Sequence, residues 1–214
     1  MGRVEIVVPD AERAAEVACS VLLDRLDGLS RPTLALSGGR TPWAMLDLLR
    51  DRWSGWADTT VLQVDERVAP DGDDRRNLTR IEAALGDTAA TIVPMPVTAD
   101  DLSAASAEYA ARLPASVDLV VLGMGGDGHT ASLVPGDPVL KATDRLVATT
   151  DEYQGTVRMT MTYPALAAAG EIIWLVTGAE KADAMSSWRA GDGRTIASRV
   201  RHDRQTMITD VARS

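Results

Sequence analysis

Short apolar runs alternate with amphipathic stretches along almost the whole chain, and this alternation restricts its fold more than any other feature. Arg3–Val8, Thr33–Ser37, Thr60–Asp65, Thr91–Met95, Val117–Leu122, Arg145–Thr150, Glu171–Thr177 and Gln205–Thr209 read as strands. Between them, Asp10–Asp27, Thr41–Arg52, Asn77–Leu85, Thr98–Leu113, Pro164–Ala169 and Ala179–Arg189 read as helices. Asp10 is a candidate N-cap with Gly28 as a stop. Thr41 is another, with Pro42 at the first helical position. Repeated strand–helix units predict an α/β fold with a mostly parallel sheet and helices on both faces.

Two of the connections carry chemistry. After the strand ending at Leu122, four glycines (Gly123, Gly125, Gly126 and Gly128) let the backbone bend and approach a ligand. His129 follows directly. A histidine titrates near pH ~6.5 and can exchange protons at neutral pH. It stands at the C-terminal end of a strand, where open α/β sheets bind ligands. Gly123, Gly125 and Gly128 also fit a dinucleotide-binding spacing, with Asp151 as the distal acid. Pro135, Gly136 and Pro138 would stop the long helix that such a site needs, so a nicotinamide cofactor is not expected.

The second connection, Ser37-Gly38-Gly39-Arg40-Thr41-Pro42, lies between a strand and a helix. Its backbone N–H groups and the helix dipole would face one point, and Ser37 and Thr41 add hydroxyls. It reads as a phosphate cradle, with an ordinary tight turn as the plainer alternative. The G-K-[ST] ending of a Walker loop is absent, and Ala35 occupies the first glycine position of a nucleophile elbow.

Composition limits the partners. The 214 residues suit one domain, 1–214, and carry a net charge of −9, which argues against nucleic acid or an anionic membrane. One cysteine, Cys19, excludes an internal disulfide and a cysteine-based zinc cluster, and reads as a core residue. The N-terminal apolar run is too short for a signal peptide or span, so a cytoplasmic protein is expected. There are two lysines, Lys141 and Lys181, among 22 lysines and arginines. His202 sits in a charged run and reads as solvated, and the scattered tryptophans read as packing residues.

The segment Gly123–Gly136, G-M-G-G-D-G-H-T-A-S-L-V-P-G, resembles the 6-phosphogluconolactonases. The blocks Ser37–Pro42, Asp65-Glu66-Arg67 with Pro70 and Asn77, Arg158–Thr162 and Gly178–Ala182 agree with that family in order and spacing. The resemblance implies a modified Rossmann-like sheet and hydrolysis of a 6-phosphogluconolactone in the oxidative pentose phosphate pathway. It implies His129 as general base and Asp127 beside it. Ser37, Gly38, Gly39, Thr41, Arg158 and Lys181 would hold the phosphate. Arg67 could bind phosphate or a developing oxyanion, and Asp65 or Asp127 could orient the imidazole or bind sugar hydroxyls. No metal or organic cofactor is expected, because a lactone is already an activated ester. The partner would be a small sugar-phosphate lactone and the protein a monomer or dimer.

Glucosamine-6-phosphate deaminases share this framework but continue from the histidine with a glutamate where this chain has Val134, and valine transfers no proton. They also tend to carry an aromatic residue at the position of Arg67. A non-catalytic sugar-phosphate sensor and a serine hydrolase built on Ser37 and His129 are the remaining alternatives. Departures from the lactonase pattern fall at Ala69, Arg76, Val134 and Thr195.

Overall fold

A computed structural model describes residues 2–213. The first half runs β1 (Arg3–Val7), α1 (Ala11–Leu26), β2 (Thr33–Leu36), α2 (Arg40–Arg52), β3 (Thr60–Gln63), β4 (Asp65–Arg67), α3 (Asn77–Leu85), β5 (Thr91–Val93) and α4 (Leu102–Arg112). The second runs β6 (Leu119–Leu122), β7 (Val147–Thr149), β8 (Arg158–Met161), α5 (Tyr163–Ala167), β9 (Glu171–Val176), α6 (Ala182–Ala190) and β10 (Gln205–Thr209). Seven strands form one parallel sheet in the order β1-β10-β9-β6-β2-β3-β5. This is the α/β architecture expected from the sequence.

Successive residues of each strand point to opposite faces, and both faces are covered, so the central strands are buried along their length. One face carries α1, α2 and α3, packed on Leu34, Leu36, Val121, Ile173, Leu175 and Ile208. α1 turns Ala14, Ala15, Ala18, Cys19, Leu22 and Leu26 toward it, and Asp10 caps its start by accepting from Arg13 N–H at 2.8 Å. The other face carries α4, α5 and α6 over Ala35, Val120, Leu122, Ile172, Trp174 and Met207. Among the described residues no helix is long and apolar enough to cross a membrane.

The sequence reading missed a second sheet, antiparallel, in the order β4-β8-β7. Thr60–Asp65 is therefore not one strand. β3 stops at Gln63, whose N–H and carbonyl are both taken by the Tyr109 hydroxyl, at 2.8 and 2.9 Å. The chain then crosses at Val64 into β4. Likewise the segment expected at Arg145–Thr150 pairs with β8 and not with the main sheet. α4 begins at Leu102 and not near Thr98, because Asp101 accepts from the N–H groups of Ser103 and Ala104. His202 is half-buried, not solvated: Nε2–H donates to the Ala169 carbonyl at 2.6 Å, and Nδ1 faces the Arg204 backbone.

Candidate active site

From β2 the chain runs to β3 and β5 on one side of the sheet, then returns to β6 on the other side of β2. Such a switch of direction opens a crevice at the strand C-terminal ends. A cleft of about 280 Å³ lies there, lined from β2 by Ser37–Pro42, from β6 by Gly123–Gly125 and His129–Ala131, and from β9 by Leu175–Thr177, Glu180 and Lys181. The small sheet adds Asp65, Arg67 and Arg158, with Asn77 from α3. Every candidate site residue lines this cleft except Asp127, which stands behind His129.

The loop after β6 closes on itself. Thr130 Oγ1 donates to the Gly123 carbonyl at 2.8 Å, Gly125 N–H to the His129 carbonyl at 2.8 Å, and Gly128 N–H to the Gly125 carbonyl at 2.9 Å. Gly128 has φ +80°, and a Cβ there would meet Thr195, so the departure at Thr195 supports the back of the loop. Inside it, His129 Nδ1 lies 2.6 Å from Asp127 Oδ1. Partial burial pushes the Asp127 carboxyl up. The His129 backbone and ring and the Tyr153 hydroxyl outweigh that and hold it below the usual carboxylate range. An anionic carboxylate only accepts, so Nδ1 carries the imidazole proton and Nε2 remains the basic nitrogen. A Cβ on Gly125 would overlap the imidazole and Asp127 Oδ1, so this glycine makes room for the pair.

In the Ser37–Thr41 turn, Gly39 at φ +135° is the N-cap of α2, and no side chain caps the helix. The expected N-cap, Thr41, lies instead within the first turn, because the conformation open to glycine starts the helix earlier. Its hydroxyl is 2.7 Å from that of Thr177, joining the first turn of α2 to the end of β9. Ser37 Oγ is buried without a partner among the described residues.

Arg158 is 6% exposed and its Nε likewise has no partner. Burial, then the Arg67 guanidinium, lowers its affinity for its proton. Lys181 Nζ stands 3.6 Å from Glu180 Oε1. Arg67 Nη1 donates to Asn77 Oδ1 at 3.0 Å and to the Arg75 carbonyl at 2.9 Å. Burial raises the Asp65 carboxyl, although Ser132 Oγ donates to Oδ2 at 2.6 Å and Arg67 lies near. Asp65 does not touch the imidazole; of the two aspartates, Asp127 is its partner.

Sequence reasoning missed Glu66 and Tyr153. Glu66 is fully buried and accepts from the N–H groups of Arg67, Asn77 and Leu78 and from the Gln63 amide. It thereby supplies the start of α3 with acceptors from a distant strand. Arg76, a departure from the lactonase pattern, is buried against Glu66 at 3.6 Å and pairs with Asp71. Among the described residues no three His, Cys, Asp or Glu side chains are grouped as metal ligands would be.

Residues 9–209 match the family described as glucosamine-6-phosphate isomerases/6-phosphogluconolactonase. The chain is 35% identical over 192 residues to a 6-phosphogluconolactonase of Rhizobium meliloti, covering 84% of this chain and 83% of that protein. Its fold is similar to the crystal structure of a 6-phosphogluconolactonase from Thermotoga maritima, with TM-score 0.85, 25% identity and coverage of 97% and 98%. A monomeric glucosamine-6-phosphate deaminase also superposes, with TM-score 0.83, 20% identity and coverage of 98% and 97%. The fold is common to both activities; the side chains in the cleft must separate them.

Proposed function

The chain belongs to the family of glucosamine-6-phosphate isomerases and 6-phosphogluconolactonases, and on that premise we propose that His129 is the general base of a lactone hydrolysis. The reaction is conversion of 6-phospho-D-glucono-1,5-lactone to 6-phospho-D-gluconate in the oxidative pentose phosphate pathway. His129 Nε2 takes a proton from the water that attacks the lactone carbonyl. The anionic Asp127 stabilises the imidazolium that results, and this returns its proton to the departing ring oxygen.

The observation that carries the substrate assignment is a pair of buried polar atoms without partners, Ser37 Oγ and Arg158 Nε, on one cleft. Buried polar groups are normally satisfied, so both suit an acceptor-rich ligand. With Lys181, the uncapped start of α2 and the Gly38–Gly39 backbone, they suit a phosphate dianion. Arg67 adds fixed positive charge to the same wall, and Asp65 offers an acceptor for sugar hydroxyls.

Amino-sugar deamination is disfavoured by Val134, which is buried and has no proton to transfer. A serine nucleophile is disfavoured because Ser37 Oγ makes no hydrogen bond with His129, as an activated serine requires. The same reading treats residues 1–214 as one catalytic domain, cytoplasmic, monomeric or dimeric, with a free buried thiol at Cys19.

The deciding experiment compares substrates. Freshly generated phosphogluconolactone should release acid rapidly, and glucosamine 6-phosphate should release no ammonia. Robust ammonia release would overturn the reading of Val134, and tight binding without turnover of either compound would make the protein a sensor.

A further inference from the structure

Tyr153 belongs to no motif in the sequence, yet it touches three groups of the site. Its hydroxyl donates to Asp127 Oδ2 at 3.1 Å, the oxygen that His129 leaves free. Its ring meets the imidazole edge-on, with centroids 6.0 Å apart and planes at 66°. The Arg158 guanidinium carbon lies 5.1 Å from the same ring's centroid.

The β7–β8 hairpin holds it there. Tyr153 N–H donates to the Thr156 carbonyl at 3.0 Å, and the two tip residues, Gln154 and Gly155, have φ of +52° and +78°. A tight primed turn requires such values at both central positions. The Gln154 amide donates to the Tyr153 oxygen at 3.3 Å, while its carbonyl accepts from Arg158 Nη2 at 3.4 Å. A phenol that accepts from Gln154 has its own proton to direct at Asp127. Partial burial, then the Asp127 carboxylate, pushes the Tyr153 hydroxyl above its ordinary pKa, so it remains a donor.

We propose that Tyr153 is a positioning residue of the hydrolysis, sharing the Asp127 carboxylate with His129 so that Nε2 is aimed and the carboxylate's hold on the imidazolium is tempered. This rests on the reading of His129 as base. Without the phenolic proton, Asp127 presents more of its charge to the ring and holds the imidazolium more firmly. A base trapped in its protonated form does not attack. Other charged groups surround the pair: Asp65, Arg67 and Arg158 from the small sheet, and Glu180 and Lys181 after β9. Asp183 and Arg194 lie behind Asp127. All of them remain when the hydroxyl alone is removed.

Tyr153→Phe keeps the ring and removes the donor. The chain has two histidines, so ring-proton NMR follows both directly, and His202→Gln identifies the signal of His129. In Tyr153→Phe the His129 titration should move up by about half to one pH unit, and the acid limb of kcat/KM on phosphogluconolactone should follow it. On that limb kcat/KM should fall about three- to tenfold, through kcat, with KM nearly unchanged. A purely structural role would lower Tm and leave the titration where it was. An unmoved titration in the folded variant, or a loss confined to KM, would overturn the proposal. His129→Ala measured in parallel separates the two readings. If it keeps the wild-type rate, the base assignment fails and this inference with it. If it is inactive while Tyr153→Phe matches the wild type, only this inference fails.

Discussion

At the scale of single residues, proton transfer and anion binding fall to different side chains under the proposed function, and the two parts should fail differently. His129→Ala removes the proposed general base and should lower kcat about 10²–10⁴-fold with a modest change in KM. If Arg158 and Lys181 hold the phosphate as proposed, Arg158→Ala and Lys181→Ala each remove a charge-assisted bond worth roughly 1.5–3 kcal/mol, and kcat/KM should fall about ten- to a hundredfold. The control is a lactone of the same ring without the phosphate, on which the variants should differ little from wild type. Equal fractional losses on both lactones would move these residues to the carbonyl or to folding. Arg158 should show some kcat loss as well, because it also packs on Tyr153. The motif residues were legible because their chemistry is local: a histidine after glycines, hydroxyls at a helix start. Glu66 and Tyr153 were not. Tyr153 belongs to no motif and meets Asp127 from 26 residues away, and the block that contains Glu66 does not reveal that its carboxylate also takes the Asn77 N–H, 11 residues on.

At the scale of elements, the parallel sheet was legible because strands buried on both faces leave unbroken apolar runs such as Leu119–Leu122. The second sheet was not, because β4 and β8 interrupt their apolar residues with Asp65, Arg67 and Arg158, which line the cleft, and nothing in the expected Arg145–Thr150 strand names β8 as its partner. Its one signal was the alternation of Met159 and Met161 with Arg158, Thr160 and Thr162; both methionines are buried in the core. Two tests address how elements hold the site. In Glu66→Ala three backbone N–H groups and the Gln63 amide lose their acceptor between β4 and α3, with Arg76 left unpaired on that side. A loss of about 3–5 kcal/mol is expected in denaturant unfolding. Gly125→Ala asks the opposite question. Its Cβ would displace the imidazole and Asp127, so kcat should fall by at least about tenfold while the fold, followed by circular dichroism, is kept.

At the scale of the whole molecule, function and stability make opposing demands on carboxylates, and pH separates them. Asp73 is held down to about 2 by Arg75, and Asp192 to about 2 by Ser187 and Arg194. Depressed carboxylates stabilise the fold above the ordinary range near pH ~4, and this is lost as pH falls toward about 2. Asp65 has the reverse sign. Burial raises its pKa, so its ionised form is disfavoured in the folded chain and disfavours folding at neutral pH. That cost disappears as pH falls through the raised value toward the unfolded one. Asp65→Asn should therefore have a higher Tm than wild type at pH 7, with the gap narrowing as the medium is acidified toward pH ~4. The Ser132 hydroxyl can rotate to accept from the new amide, so the hydrogen bond at Oδ2 has a replacement. Activity should move the other way, with kcat/KM reduced, because the acceptor proposed for the sugar hydroxyls is partly replaced by a donor. A variant less stable than wild type at pH 7, or a Tm gap that widens on acidification, would mean that the bonds from Ser132 and Asn77 outweigh the burial of the charge.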